Sequence, residues 1–183
     1  YKKALQLKPD YAIVYNNIGK VFQEQGNLDA AIAAYKKSIS LNSKYADPHI
    51  NIGNVFQEQC KFDDAITAYQ KALSINPNYA EAYNNMGVSL RDHGEVEDAI
   101  KAYKNCITLN PNHCEAYSNM GMTLQYQGKL EEAIDAYDKA ISINPTFARA
   151  HQNLSYSLLN SGRILEGLDK NEWRWKTEKF LLK

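Results

Sequence analysis

Apolar residues recur along this chain at helical spacing, in pairs of short stretches that repeat every 34 residues. In residues 79–112, Tyr83, Met86, Gly87 and Leu90 stand at i, i+3, i+4 and i+7, which places them on one face of a first helix. Ala99, Ile100, Tyr103, Cys106 and Ile107 likewise share one face of a second helix. Between the two, Gly94 can enter the left-handed conformation that ends a helix cheaply, and Glu97 and Asp98 follow in a first turn, where the helix dipole favours negative charge. Pro111 closes the unit, because a proline bars the residue before it from helix. Gly87 has no side chain, so the second helix is expected to approach closely there.

The rest of the chain is versions of this unit. Its first-helix glycine recurs as Gly19, Gly53 and Gly121 and then appears as Ser155. Its proline recurs as Pro9, Pro77 and Pro145, with Ser43 as the one lapse. Tyr35, Tyr69 and Tyr137 match Tyr103, and Ala31, Ala65 and Ala133 match Ala99. The period predicts the end of a truncated upstream repeat at 1–10 and full helix pairs at 11–44, 45–78, 79–112 and 113–146. Residues 147–183 are expected to form a degenerate terminal repeat and capping helix. There Ser155 replaces the glycine, Gly167 the alanine and Asn171 the tyrosine, while Arg174 stands where a small residue is usual, so its second helix must pack differently. Trp173 and Trp175, two apart, point in different directions on a helix, and serve either as a cap on the preceding unit or as a docking site. Because the chain opens inside a repeat without a methionine, the natural protein is expected to continue upstream. Cys60 stands where other units have the turn glycine; a left-handed conformation there costs about 1 kcal/mol and would make this junction a soft spot.

With the aromatic Tyr83, the pair Met86-Gly87, then Leu90, Ala99, Tyr103 and Pro111, the sequence resembles the tetratricopeptide repeat family. The resemblance covers nearly all 183 residues. It implies an all-α fold, a right-handed superhelical solenoid of antiparallel helix pairs whose inner surface is lined by the first helices. Within the family the chain is most similar to the repeat array of O-linked N-acetylglucosamine transferase and to bacterial repeat proteins. The run from Asn171 to Lys176 is also similar to a tail found in bacterial repeat proteins that carry a glycosyltransferase domain.

Composition narrows the function. The chain carries 21 basic and 21 acidic residues, so no global field draws it to nucleic acid or to an anionic membrane. It holds no apolar run near the roughly 18 residues that span a bilayer, nor a stretch resembling a signal peptide. Its three cysteines are an odd count, and each fills a place held elsewhere by glycine, alanine or serine; Cys106, for instance, corresponds to Ser38, Ala72 and Ala140. A reduced, cytoplasmic setting is expected.

Placing each first helix at 100° per residue puts the core face around the tyrosine and glycine. The opposite stripe then falls two residues before the glycine and one after it. Two before it stand Asn17, Asn51, Asn85, Asn119 and Asn153; one after it stand Lys20, Asn54, Val88, Met122 and Tyr156. Asparagine is a poor helix former, by roughly half a kcal/mol against alanine, yet it is kept five times while its neighbour column has diverged. An amide both donates and accepts, so a column of amides at repeat spacing could pair with successive peptide groups of an extended ligand. The resemblance to the O-linked N-acetylglucosamine transferase array, which has an asparagine ladder at the matching place, points to the same five residues. The competing reading is that they cap or bridge neighbouring repeats. Flanking positions would set selectivity: Glu24, Asp47, Glu58, Glu81, Asp92 and Glu115 against Lys20 and Arg149, and, toward the C-terminal half, Val88, Met122, Tyr126 and Tyr156. These predict a ligand with basic residues at one end and apolar residues at the other, or else a merely solvated polar face. Capture of a terminal carboxylate is not expected, since Glu81 and Asn85 stand where basic residues would be wanted.

Catalytic chemistry is not expected. The acidic pairs Asp63-Asp64, Glu97-Asp98 and Glu131-Glu132 recur at one helix start, which marks them as dipole partners. His49 and His151 replace packing aromatics, and Cys106, His113 and Cys114 lack zinc-site spacing. No metal and no cofactor is therefore assigned. Asn153-Leu154-Ser155 fits a glycosylation pattern but lies mid-helix. Three readings stand: a non-catalytic scaffold that binds an extended peptide or partner protein on its concave face; a substrate-selecting arm of a larger enzyme such as a glycosyltransferase; and self-association through exposed repeat ends.

Overall fold

The computed structural model describes residues 11–171; these form helices joined by short turns, with no strand among them. Residues 1–10, with Pro9, and Trp173, Arg174 and Trp175, on which some of the expectations above rest, lie outside the described residues. The chain divides into two units, Tyr1–Gly94 and Glu95–Lys183.

In the first unit the helices are α1 (Ala12–Glu24), α2 (Leu28–Leu41), α3 (Asp47–Glu58), α4 (Phe62–Ile75) and α5 (Ala80–His93). Their apolar faces meet in clusters that bridge consecutive repeats. Ala31 and Tyr35 of α2 pack with Ile52 and Val55 of α3 and Ala68 of α4. Ile50 of α3 packs with Ala65, Tyr69 and Ala72 of α4 and Ala82 of α5. Tyr35 and Tyr69 are fully buried, and burying a side chain of this size contributes about 1.5–3 kcal/mol. The helix-pair glycine acts as the spacing predicts: a Cβ built on Gly53 would lie 2.6 Å from Cε1 of Tyr69, too close for any real carbon pair.

The second unit holds α6 (Val96–Leu109), α7 (Cys114–Tyr126), α8 (Leu130–Ile143), α9 (Ala148–Asn160) and α10 (Ile164–Asn171). Leu124, Ala133, Ile134, Tyr137, Leu154 and Leu158 form its main cluster. Gly121 again sits under a tyrosine ring, with 2.8 Å between its would-be Cβ and Cε1 of Tyr137. The last pair packs by a different device. Ser155, standing for the glycine, is buried and donates its hydroxyl to the Gly167 carbonyl at 2.7 Å. Gly167 in turn meets Leu159, where an added Cβ would fall 2.8 Å from Cγ.

Helix ends follow local chemistry. Gly94 ends α5 at φ 95°, and Cys60 holds the same left-handed conformation at φ 56°, the one residue other than glycine to do so among those described. Asn42, Asn76, Asn110 and Asn144 follow the second helices in extended conformation. Their Oδ1 atoms accept from the backbone N–H two residues on, at 3.1–3.2 Å. This asparagine turn explains why Ser43 can stand in for the proline: the side chain closes the unit whether or not a proline follows.

Candidate functional site

Asn51, Asn85, Asn119 and Asn153, each two before the glycine position, reach across to the neighbouring repeat. Asn51 Nδ2 donates to Asn16 Oδ1 at 2.8 Å, and Asn16 Nδ2 reaches the Tyr45 hydroxyl at 3.3 Å. Asn85 Nδ2 donates to Asn54 Oδ1 at 3.2 Å. In the second unit Asn119 is 5% exposed, and Arg149 donates to its Oδ1 at 3.3 Å, while Asn153 bonds the Tyr137 hydroxyl. Neighbouring first helices pack close enough that a position facing away from its own partner helix can reach an adjoining repeat. The expectation of an opposite stripe is corrected on that point. Bridging does not exhaust the amides, because each Nδ2 carries two protons and each carbonyl two lone pairs. Asn17, Asn51, Asn85 and Asn153 remain half-buried.

In the first unit Asn51 and Asn85 border two hollows. One, of about 350 Å³, is lined by Gln23, Asn54, Gln57, Glu58 and Asn85. The other, of about 370 Å³, is lined by Lys20, Gln23, Glu24, Asn51 and Glu58. Gln23 and Glu58 belong to both linings, so the two hollows adjoin as one polar groove across α1, α3 and α5. A separate hollow between second helices, lined by Lys36, Ile39, Phe56, Thr67 and Lys71 among others, is floored by apolar side chains and holds none of the asparagines.

The glutamines of the groove escaped the sequence reading. Gln23 and Gln57 sit four residues after the glycine, and each takes the hydroxyl of the buried tyrosine below it: Tyr35 donates to Gln23 Oε1 at 2.9 Å and Tyr69 to Gln57 Oε1 at 3.1 Å. Each also reaches the next repeat. Ser89 donates to Gln57 Oε1 at 3.2 Å, and Gln23 Nε2 donates to Glu58 Oε1. The second unit repeats the node, with Gln125 accepting from Tyr137 at 3.2 Å and from Ser157 at 2.8 Å. The recurrence of Gln23, Gln57 and Gln125 at multiples of 34 residues, broken by Arg91, was the signal available. The Tyr69 hydroxyl also lies 2.7 Å from Asn54 Oδ1, so its one proton is shared between the two amides and the groove surface is anchored to the core. Burial pushes the Tyr35 hydroxyl up to about 12, with the carboxylates of Glu58 and Glu24 adding to the shift; Tyr69 is raised further, again chiefly by burial.

The flanking residues separate. Lys20 and Glu81 are exposed and Val88 is half-buried. Asp92 is ion-paired with Arg91 at 2.7 Å. Asp47 accepts from the Tyr79 hydroxyl at 2.9 Å and bonds Tyr45; both tyrosines are pushed up to about 12, first by burial and then by this carboxylate. Met122 is not on an open stripe: it is half-buried and packed on the cluster of the second unit. Tyr126 and Tyr156 are 73% and 57% exposed, far more than any core aromatic. No group of three or more His, Cys, Asp or Glu among the described residues could hold a metal ion. No described helix is long and apolar enough to cross a membrane.

Stacked helix pairs, with a polar groove along the first helices of the first unit, define an all-helical repeat scaffold. Tetratricopeptide repeat models match residues 46–79, 80–113, 114–147 and 136–169, and a further repeat model of the family matches 1–26 and 24–59. The chain belongs to the tetratricopeptide repeat family. Its fold is similar to a crystal structure of MamA, at TM-score 0.81 and 28% identity over 93% of each chain. It is also similar to YrrB, described as a TPR protein with an unusual peptide-binding site, at TM-score 0.75 and 26% identity over 93% of this chain and 90% of that one. The likeness to MamA from Desulfovibrio magneticus RS-1, at 20% identity and TM-score 0.82 over 93% and 96% of the two chains, concerns the fold alone. No curated protein sequence matches the chain.

Proposed function

We propose that this chain is a non-catalytic scaffold that binds an extended peptide or a segment of a partner protein along its first helices, with the asparagine column as the contact to the ligand's backbone. The observation that carries the reading is the polar groove of the first unit, where Asn51, Asn54 and Asn85 line adjoining hollows beside Gln23 and Gln57. An extended strand advances about 3.3 Å per residue and offers an N–H or C=O to each side in turn, which suits amides that can donate or accept. The peptide-binding site for which YrrB is described supports the class of ligand. The remaining asparagines Asn17, Asn119 and Asn153 belong to the same column by register, with the Tyr126 and Tyr156 faces as apolar contacts.

The resemblance to the O-linked N-acetylglucosamine transferase array belongs to this proposal: the same groove would equally select substrates for a larger enzyme. A cytoplasmic setting, and a partner that is protein and not nucleic acid, complete the reading; the balanced charge supports it. Peptides selected on the immobilised chain by display provide the test. Replacing both Asn51 and Asn85 with alanine is expected to weaken the selected peptides about tenfold or more, as loss of two hydrogen bonds requires. Unchanged affinity would remove the asparagine contact.

A further inference from the structure

Of the acidic residues beside the groove, the structure withdraws some and leaves others. Asp92 is held by Arg91, Asp47 is occupied by Tyr79 and Tyr45, and Glu81 is in the lining of neither hollow. Glu24 and Glu58 remain. Both are exposed, both line the hollow that also holds Asn51, and neither forms an ion pair among the described residues. Glu58 is fixed in place by one hydrogen bond from Gln23, which leaves its second carboxylate oxygen available. Lys20 shares that lining and pairs with neither carboxylate, so the hollow holds two negative charges to one positive. Its other lining groups, Asn51 and Gln23, are amides and add no charge.

From this we infer that the groove of the first unit takes a lysine or arginine side chain of the partner, seated between Glu24 and Glu58 while the flanking backbone lies on Asn51 and Asn85. The inference rests on the peptide-binding reading above and deepens it. A cation there gains from both carboxylates without displacing an existing ion pair, whereas an acidic side chain meets like charge. The attraction acts between partly solvated groups, so it is modest and weakens with salt.

Three labelled ten-residue peptides of otherwise uncharged polar sequence, with Lys-x-Lys, Gln-x-Gln or Glu-x-Glu at the centre, are titrated by fluorescence anisotropy at low salt against the full chain. The lysine peptide is expected to bind about tenfold more tightly than the glutamine peptide, and the glutamate peptide more weakly than both. In E24Q/E58Q, which keeps size and hydrogen bonding, lysine and glutamine peptides should bind alike. Equal binding of lysine and glutamine peptides by the unaltered chain, with N51A/N85A weakening all three, would overturn the cation seat and leave the backbone reading standing. N51A/N85A without effect on any peptide would overturn the backbone reading itself. Retention of the lysine preference in E24Q/E58Q, or no binding of the lysine peptide at millimolar concentration, would also overturn the inference.

Discussion

Cys60 holds φ 56° at a turn where Gly26, Gly94, Gly128 and Gly162 hold positive φ in the other repeats. A side chain in that conformation costs about 1 kcal/mol relative to glycine. Cys60→Gly is therefore expected to raise the unfolding free energy by about that much, read as a shift of the urea midpoint; no shift would mean that the turn is not strained. Gly53 presents the opposite case. A methyl group there would fall 2.6 Å from the Tyr69 ring, so Gly53→Ala should destabilise the protein by about 1–3 kcal/mol, and a neutral result in thermal melts would show that the helix pair can open without penalty. Both positions were legible in the sequence, because a 34-residue period compares each residue with its counterparts and shows Gly53 kept and Cys60 deviant.

At the scale of the helix the sequence was less informative. Apolar periodicity assigns every polar position to solvent, and that rule misses the bonds of Asn51 and Asn85 to the preceding repeat and of Asn119 to the following one. It also passes over Gln23, Gln57 and Gln125, whose amides join the tyrosine of one helix pair to the first helix of the next. Contacts of this kind depend on how closely two first helices stack, which no single helix encodes. The node is open to test at Tyr69, whose hydroxyl serves both Asn54 and Gln57. Tyr69→Phe keeps the ring against Gly53 and deletes only the oxygen. It is expected to cost about 0.5–1.5 kcal/mol, the net worth of one hydrogen bond, since Asn54 keeps Asn85 and Gln57 keeps Ser89 as donors, with faster hydrogen exchange in α5 where Ser89 bonds Gln57. A loss below about 0.5 kcal/mol would reduce the node to incidental contact.

Across the whole chain the 21 basic and 21 acidic residues balance, so stability near neutral pH should vary little with global charge. The exception is alkaline pH. Tyr35, Tyr45 and Tyr79 are raised from 10 to about 12, and Tyr69 and Tyr137 are raised further, mainly by burial. A tyrosine whose folded pKa lies above its unfolded value stabilises the fold fully below pH 10 and loses that contribution as pH climbs toward 12. Denaturation midpoints should thus hold from neutrality to about pH 10 and fall beyond it, and a flat profile to pH 12 would contradict the burial of these hydroxyls. Function at this scale turns on where a partner lies. With asparagine side chains labelled with nitrogen-15 and a display-selected peptide added, the side-chain amide resonances of Asn51, Asn54 and Asn85 are expected to shift together. If they stay in place while backbone signals move around Lys36, Ile39, Thr67 and Lys71, the partner binds between second helices and the groove is not its site.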